Sequence, residues 1–283
     1  MEKISRWNET SIIGEDPRFL PIDERRFRVY YTYPAPIWDV PRMGMLELTY
    51  NESSRRLDVT ALRDRIQPTY PKHLNTRKES HKNWSPFLFR GHALLIQSIN
   101  PLVVVNETET EEGIATAEVV SISKLTRIKW PYGSMRGGTN CILVNDSYYL
   151  SFFHSKTHFE NSYMATYVMG AYTFSNTIPF QLLSISTYPS KIQHISCSIR
   201  LAFTPSLTCF HPHDSAVMHP QFYTGQWSFQ TMARIDYILF PTSLYTVDGE
   251  ADTLVVTAGM QDVRGVQFRI NIFELLDSLE RVR

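Results

Sequence analysis

Four stretches of this 283-residue chain carry side chains able to move a proton, hold an anion or grip a polar ring. They are Glu15-Asp16-Pro17-Arg18, Lys82-Asn83-Trp84, Arg136-Gly137-Gly138-Thr139 with His154 further on, and a C-terminal run ending at Asp262. Brought to one place, they would combine acids, cations, an aromatic platform and hydroxyl or amide partners. A sugar cleft requires that set: flat apolar faces for the ring and fixed polar groups for its hydroxyls. Cations beside an acid also suit a phosphate, or another anion, next to a bond being broken.

The first three stretches open, and the fourth closes, segments of one plan: a polar start, a short apolar run, a turn, and a second apolar run. Counted from Asp16, Asn83, Gly138 and Pro241, seven residues lead to Asp23, Arg90, Asn145 and Asp248. The pairs there, Asp-Glu, Arg-Gly, Asn-Asp and Asp-Gly, are hairpin-closing chemistry. Another seven residues reach Tyr30, Gln97, Phe152 and Val255, each inside a second predicted strand. The starting points are 67, 55 and 103 residues apart. A four-stranded propeller blade uses roughly 40–50 residues, more with loops. Aromatics at 13%, with recurrent Val, Ile, Thr and Tyr, agree with strands. In a propeller the innermost strands converge on the central channel, so the four openings would ring one site. The expected architecture is all-β, one domain over residues 1–283, with a Pro- and His-containing insertion at about 188–231. A short C-terminal helix from Phe273 places Leu275, Leu276 and Leu279 on one face.

Other classes are disfavoured. Lys plus Arg and Asp plus Glu both number 28, so no basic excess supports nucleic-acid or anionic-membrane binding. Three cysteines form neither a disulfide framework nor a CxxC motif, and His211 and His213 lack a third ligand, so no metal is expected. Residues 2–8 hold no apolar core of a secretory signal, and the uncharged run from Asn161 to Ser190 is too rich in Ser, Thr, Pro and amides for lipid. A cytoplasmic location without membrane contact is the default expectation. Local alternatives exist for single residues. Asp16 before Pro17 also fits a turn, Trp84 and Tyr163, Tyr167 and Tyr172 fit packing between blades, and Gly137-Gly138 fits a bulge or a close backbone approach.

The order EDPR, KNWSPF, RGGT with a strand ending FFHS, Tyr167-Val-Met-Gly-Ala-Tyr172, FPTSL and AGMQD resembles the β-mannoside phosphorylase and β-1,2-mannosidase family. That resemblance implies an inverting, glycoside-active five-bladed β-propeller; related protozoan mannosyltransferases exist. By it, Asp16 matches the catalytic acid, Lys82 and His154 match phosphate-holding residues, and Asp262 matches an aspartate near the sugar. The phosphate-binding arginine falls among Arg63, Arg65 and Arg77, with Arg65 the chosen candidate. Glu15, Arg18, Asn83, Trp84, Arg136, Gly138 and Thr139 would line the substrate. The family carries a blade before EDPR, so all or part of the first blade is expected to be missing here.

The implied reaction is phosphorolysis, or phosphate-linked transfer, of a β-mannosyl residue. No cofactor is needed, because inorganic phosphate or a sugar phosphate is itself the co-substrate. Partners would be an oligosaccharide or sugar phosphate, and the insertion could also mediate a homo-oligomer. A hydrolase of the same fold needs a second carboxylate to activate water. A non-catalytic propeller binding glycans or proteins is the third reading.

Overall fold

The computed structural model describes residues 14–33, 41–69, 82–110, 114–158, 165–188, 239–260 and 264–282. These form seventeen strands and one short helix, in antiparallel meanders that follow one another along the chain. The first meander is β1 (Glu15–Pro21), β2 (Arg26–Tyr33), β3 (Arg42–Asn51) and β4 (Arg56–Thr69). The second is β5 (Ser85–Phe89), β6 (His92–Ile99), β7 (Leu102–Glu109) and β8 (Ala115–Ile122). In the third, β9 (Arg136–Gly137) and β10 (Ile142–Val144) both pair with β11 (Tyr148–His158), which continues to β12 (Ala165–Ser175) and β13 (Leu182–Ile185). The fourth is β14 (Leu239–Val247), β15 (Glu250–Met260) and β16 (Arg264–Asn271). Helix α1 (Ile272–Asp277) follows, and β17 (Glu280–Arg281) returns to pair with β13.

The four predicted hairpins are the first hairpins of these four meanders. Their turn chemistry explains them. Arg90 and Gly91 both have positive φ, as do Asn145 and Asp146, which gives turns whose twist matches the flanking strands. Gly249 supplies the left-handed residue in the fourth. In the first, Asp23 Oδ1 accepts from the Arg25 and Arg26 amides at 3.0 and 2.8 Å, closing the loop through a side chain.

The core lies between neighbouring meanders, not within one. One apolar cluster joins Tyr30, Met43 and Met45 of the first to Leu95 and Val105 of the second. Another packs Phe87 and Leu94 of the second on Tyr149, Phe174 and Phe180 of the third. The last sets Leu150 and Phe152 of the third against Leu244 and Val256 of the fourth, with Ile272, Leu275 and Leu279 from the C-terminal turn of chain. Face-to-face packing of successive sheets is propeller construction, so the all-β, propeller-type expectation holds. Four blade-like units are described; the count of five, the first-blade deficit and most of the 188–231 insertion concern residues outside those described. The C-terminal helix forms as expected, capped by Asn271 Oδ1 on the Phe273 and Glu274 amides.

Polar ties reinforce the seams. Asn140, buried at the start of the third unit, donates to the Leu244 carbonyl and accepts from the Leu244 amide at 2.9 and 2.8 Å. Tyr30 Oη donates to Glu107 at 3.1 Å, and Arg63 pairs with both Glu107 and Glu109, joining the first two units. There β4 and β8 also pair in parallel over Gln67–Thr69 and Thr116–Glu118. Among the described residues no helix is long and apolar enough to cross a membrane.

Phe152 is fully buried at the seam of the third and fourth units. Phe152→Ala should cost about 3–5 kcal/mol by emptying that seam, measured as a lower urea midpoint with the slope unchanged.

Candidate functional site

The site grows from a bulge in β1. Pairing with β2 runs from Glu15 opposite Thr32 to Arg18 opposite Tyr30, so one extra residue is inserted at Asp16-Pro17. Asp16 takes up the distortion with φ of 52°, unusual for a non-glycine residue and doubly so before a proline. Asn83, at the start of the second unit, has φ of 64°. The remaining non-glycine residues of positive φ among those described are Arg55, Arg90, Asn145 and Asp146, all in hairpin turns. Asp16 and Asn83 are therefore the two held left-handed outside a turn, which is where strain tends to mark a working site.

One guanidinium joins them. Arg18 is completely buried; Nη1 donates to the Asp16 carbonyl at 2.5 Å, and Nη2 donates to Asn83 Oδ1 at 3.0 Å and the Gly137 carbonyl at 3.2 Å. Its fourth neighbour is the Phe240 ring, 5.3 Å from the guanidinium carbon. The first, second, third and fourth units thus meet around one buried cation. Burial lowers the Arg18 pKa to about 10, partly opposed by the Asp16 carboxylate.

His154, on β11 opposite Arg136 of β9, is the next shell. It is almost fully buried, with Phe240 at 4.3 Å and Tyr167 at 6.0 Å between ring centres. Asn83 Nδ2 donates to His154 Nε2 at 3.5 Å. A guanidinium can only donate, so the Asn83 amide oxygen must face Arg18 and its nitrogen must face the imidazole. Nε2 is then the acceptor, and the imidazole proton belongs on Nδ1. Burial, followed by the positive charges of Arg18, Arg136 and Lys82, pushes the His154 pKa well below its ordinary value, with the Gly137 backbone opposing. His154 is neutral at neutral pH.

Of the residues predicted from sequence, Asp16, Arg18, Lys82, Asn83, Arg136 and His154 come together here, on Gly137 and Gly138. Close approach requires these glycines: a Cβ on Gly137 would lie 2.3 Å from the Asn83 carbonyl, and one on Gly138 would lie 2.8 Å from that of Phe152. Asp16 and Lys82 are partly exposed, and Glu15 and Arg136 are exposed. Trp84 and Thr139 go elsewhere. Trp84 packs into the core between the first two units, and the Thr139 hydroxyl is spent on the Asn140 carbonyl and the Phe152 amide. Arg63 is committed to Glu107 and Glu109; Arg65 sits on β4, and Arg77 and Asp262 lie outside the described residues. His211 and His213 also lie outside them. Sequence reasoning overlooked Phe240, whose one signal was its place opening the fourth repeat.

No family model and no curated protein matches the sequence. Solved structures do. A glycosyl hydrolase from Bacteroides ovatus superposes with a TM-score of 0.51 at 14% identity, over 91% of this chain and 65% of that one. A β-1,2-mannobiose phosphorylase from Listeria innocua, in complex with β-1,2-mannobiose, gives 0.52 at 16% identity, over 94% and 60%. The chain spans less than two thirds of either structure, and likeness at this identity is likeness of fold.

Asn83→Asp replaces the amide facing His154 with a carboxylate. The imidazolium then gains an acceptor and a negative neighbour, so the His154 pKa should rise, read by NMR titration of its ring carbons; an unchanged or lower value would contradict the hydrogen-bond assignment. Linkage gives a second expectation. Well above pH 6.5 the imidazole is neutral folded or unfolded and contributes no pH dependence. Below it the unfolded chain binds a proton that the folded chain refuses, so stability falls by up to about 1.4 kcal/mol per pH unit until the lowered folded pKa is reached. Urea unfolding at pH 7.5 and 5.5 should show that loss, reduced in His154→Gln.

Proposed function

We propose that this chain is a carbohydrate-active enzyme that cleaves or forms a β-mannosidic bond, with inversion, using phosphate or a sugar phosphate. The observation that carries this reading is the charge arrangement around His154. Three cations from three units, Arg18, Lys82 and Arg136, act on one imidazole, and the Asp16 carboxylate acts on the same cluster through Arg18. A neutral histidine among three cations is a poor arrangement for stability alone, and a good one for receiving a dianion. The fold supports the reading, as does the mannobiose bound by the Listeria enzyme of similar fold.

In this mechanism Lys82 and Arg136 attract the phosphate and His154 adds a hydrogen bond, not a charge. Arg18, buried beneath, supplies positive potential without touching the ligand. A phosphate oxygen attacks the anomeric carbon from the face opposite the leaving oxygen. The glycosidic C–O bond breaks as the new C–O bond to phosphate forms, which inverts the centre. Asp16 gives its proton to the leaving oxygen, in the resembled family through a sugar hydroxyl, and ends as carboxylate. Mannose 1-phosphate and a shortened acceptor leave; the reverse direction regenerates the acid. Phosphate arrives as a ready nucleophile, so one carboxyl group suffices.

Incubation with β-1,2-mannobiose should release mannose 1-phosphate only when phosphate is present. Asp16→Asn should lower that turnover by about 100-fold or more, and Lys82→Met should raise the phosphate KM by about 10-fold or more. Mannose release equally fast without phosphate would assign hydrolysis instead. No turnover in either direction, with retained oligosaccharide binding, would assign a binding module.

A further inference from the structure

We propose that Arg18 is a positioning residue that aims the Asp16 carboxyl group and selects the tautomer of His154. This deepens the reading above and rests on Asp16 and His154 working on substrate. Arg18 has no exposed surface, so it cannot touch a sugar or a phosphate in the channel. What it does touch is the backbone or side chain of the two residues strained outside turns. Its Nη1 binds the carbonyl of Asp16, the bulged residue, and its Nη2 binds the amide of Asn83.

Both contacts transmit orientation. A left-handed Asp before a proline has easier conformations available, and each would turn its carboxyl group away from the present direction. The guanidinium holds the carbonyl of that same residue, so the bulge cannot relax without breaking a part-buried, charge-assisted hydrogen bond. At Asn83 the transmission is chemical. Arg18 forces the amide oxygen toward itself, the amide nitrogen therefore faces Nε2, and His154 must keep its proton on Nδ1. Without Arg18 the Asn83 amide can flip, and either ring nitrogen can hold the proton. The groups facing the imidazole are Arg18 from β1, Lys82 and Asn83 before β5, Arg136 from β9, Tyr167 from β12 and Phe240 from β14. Of these, Arg18 contacts both the residue whose carboxyl group is aimed and the one that sets the tautomer.

The test uses the full chain carrying Arg18→Met or Arg18→Lys, with folding checked by near-UV circular dichroism. In wild type the ¹⁵N shifts of His154 should report a single neutral tautomer with Nδ1 protonated. In Arg18→Met they should move toward averaged values. Phosphorolysis of β-1,2-mannobiose should lose about 100-fold in kcat, with KM for the disaccharide within about threefold of wild type. Arg18→Lys reaches fewer acceptors and should fall between. A folded variant that keeps the wild-type nitrogen shifts and kcat overturns the proposal. If wild type shows no turnover, the functional reading fails, and the nitrogen shifts still decide the positioning role. If Arg18→Met does not fold, the shifts and kcat of Arg18→Lys decide it.

Discussion

A fully buried guanidinium with carbonyl-type acceptors from three separate parts of the chain is the constraint around which this molecule is arranged. Burying a charge is costly unless its hydrogen bonds are met; Nη1 and Nη2 of Arg18 bond the Asp16 and Gly137 carbonyls and the Asn83 side chain, while its buried Nε has no partner among the described residues. Those acceptors lie 2, 65 and 119 residues away along the chain. No one unit can satisfy the cation, so its burial is possible only once three have assembled, with the Phe240 ring of the fourth beside it. Apolar seams supply most of the driving force for that assembly. The guanidinium specifies how the inner ends of the units meet.

The same arrangement explains why small residues stand where they do. The Asn83 carbonyl and the Gly137 backbone approach so closely that only glycine fits, and Gly138 is pressed between Pro241 and the Phe152 carbonyl. A sequence reading of Gly137-Gly138 as a close backbone approach is correct for this physical reason. It is the point where second, third and fourth units converge, and side chains there would hold them apart.

Much of the fold was legible because its determinants are local. Hairpin turns at Asp23, Arg90, Asn145 and Asp248 announce themselves by residues that tolerate left-handed backbone or cap a loop, and their equal spacing revealed the repeat. The C-terminal helix was visible in the spacing of Leu275, Leu276 and Leu279. That the openings at Asp16, Asn83 and Gly137 meet followed from the repeat, since the same point in each unit faces the same place. The wiring within the cluster was not legible. Arg18 looked like one more polar group for a substrate, because acceptors on its partners' backbone leave no trace in residue type. Trp84 fitted a sugar platform and blade packing alike, because a buried and an exposed tryptophan have the same letter. Phe240 carries no polar group, so nothing in a search for chemistry would select it.

The charge state of the site follows from this wiring and in turn limits what it can do. An Asn at position 83 keeps a donor against His154, whereas an acceptor there would stabilise the imidazolium and add a fourth positive charge to the cluster. With Asn, burial and the neighbouring cations keep the histidine neutral. A cluster built this way gains no charge from its imidazole as the pH moves about neutrality. It would also disfavour a second carboxylate among the same cations, since that group would occupy the place of the anion by pairing with them. Water activation by a second carboxylate and anion capture by cations are thus competing chemistries for one cluster of side chains.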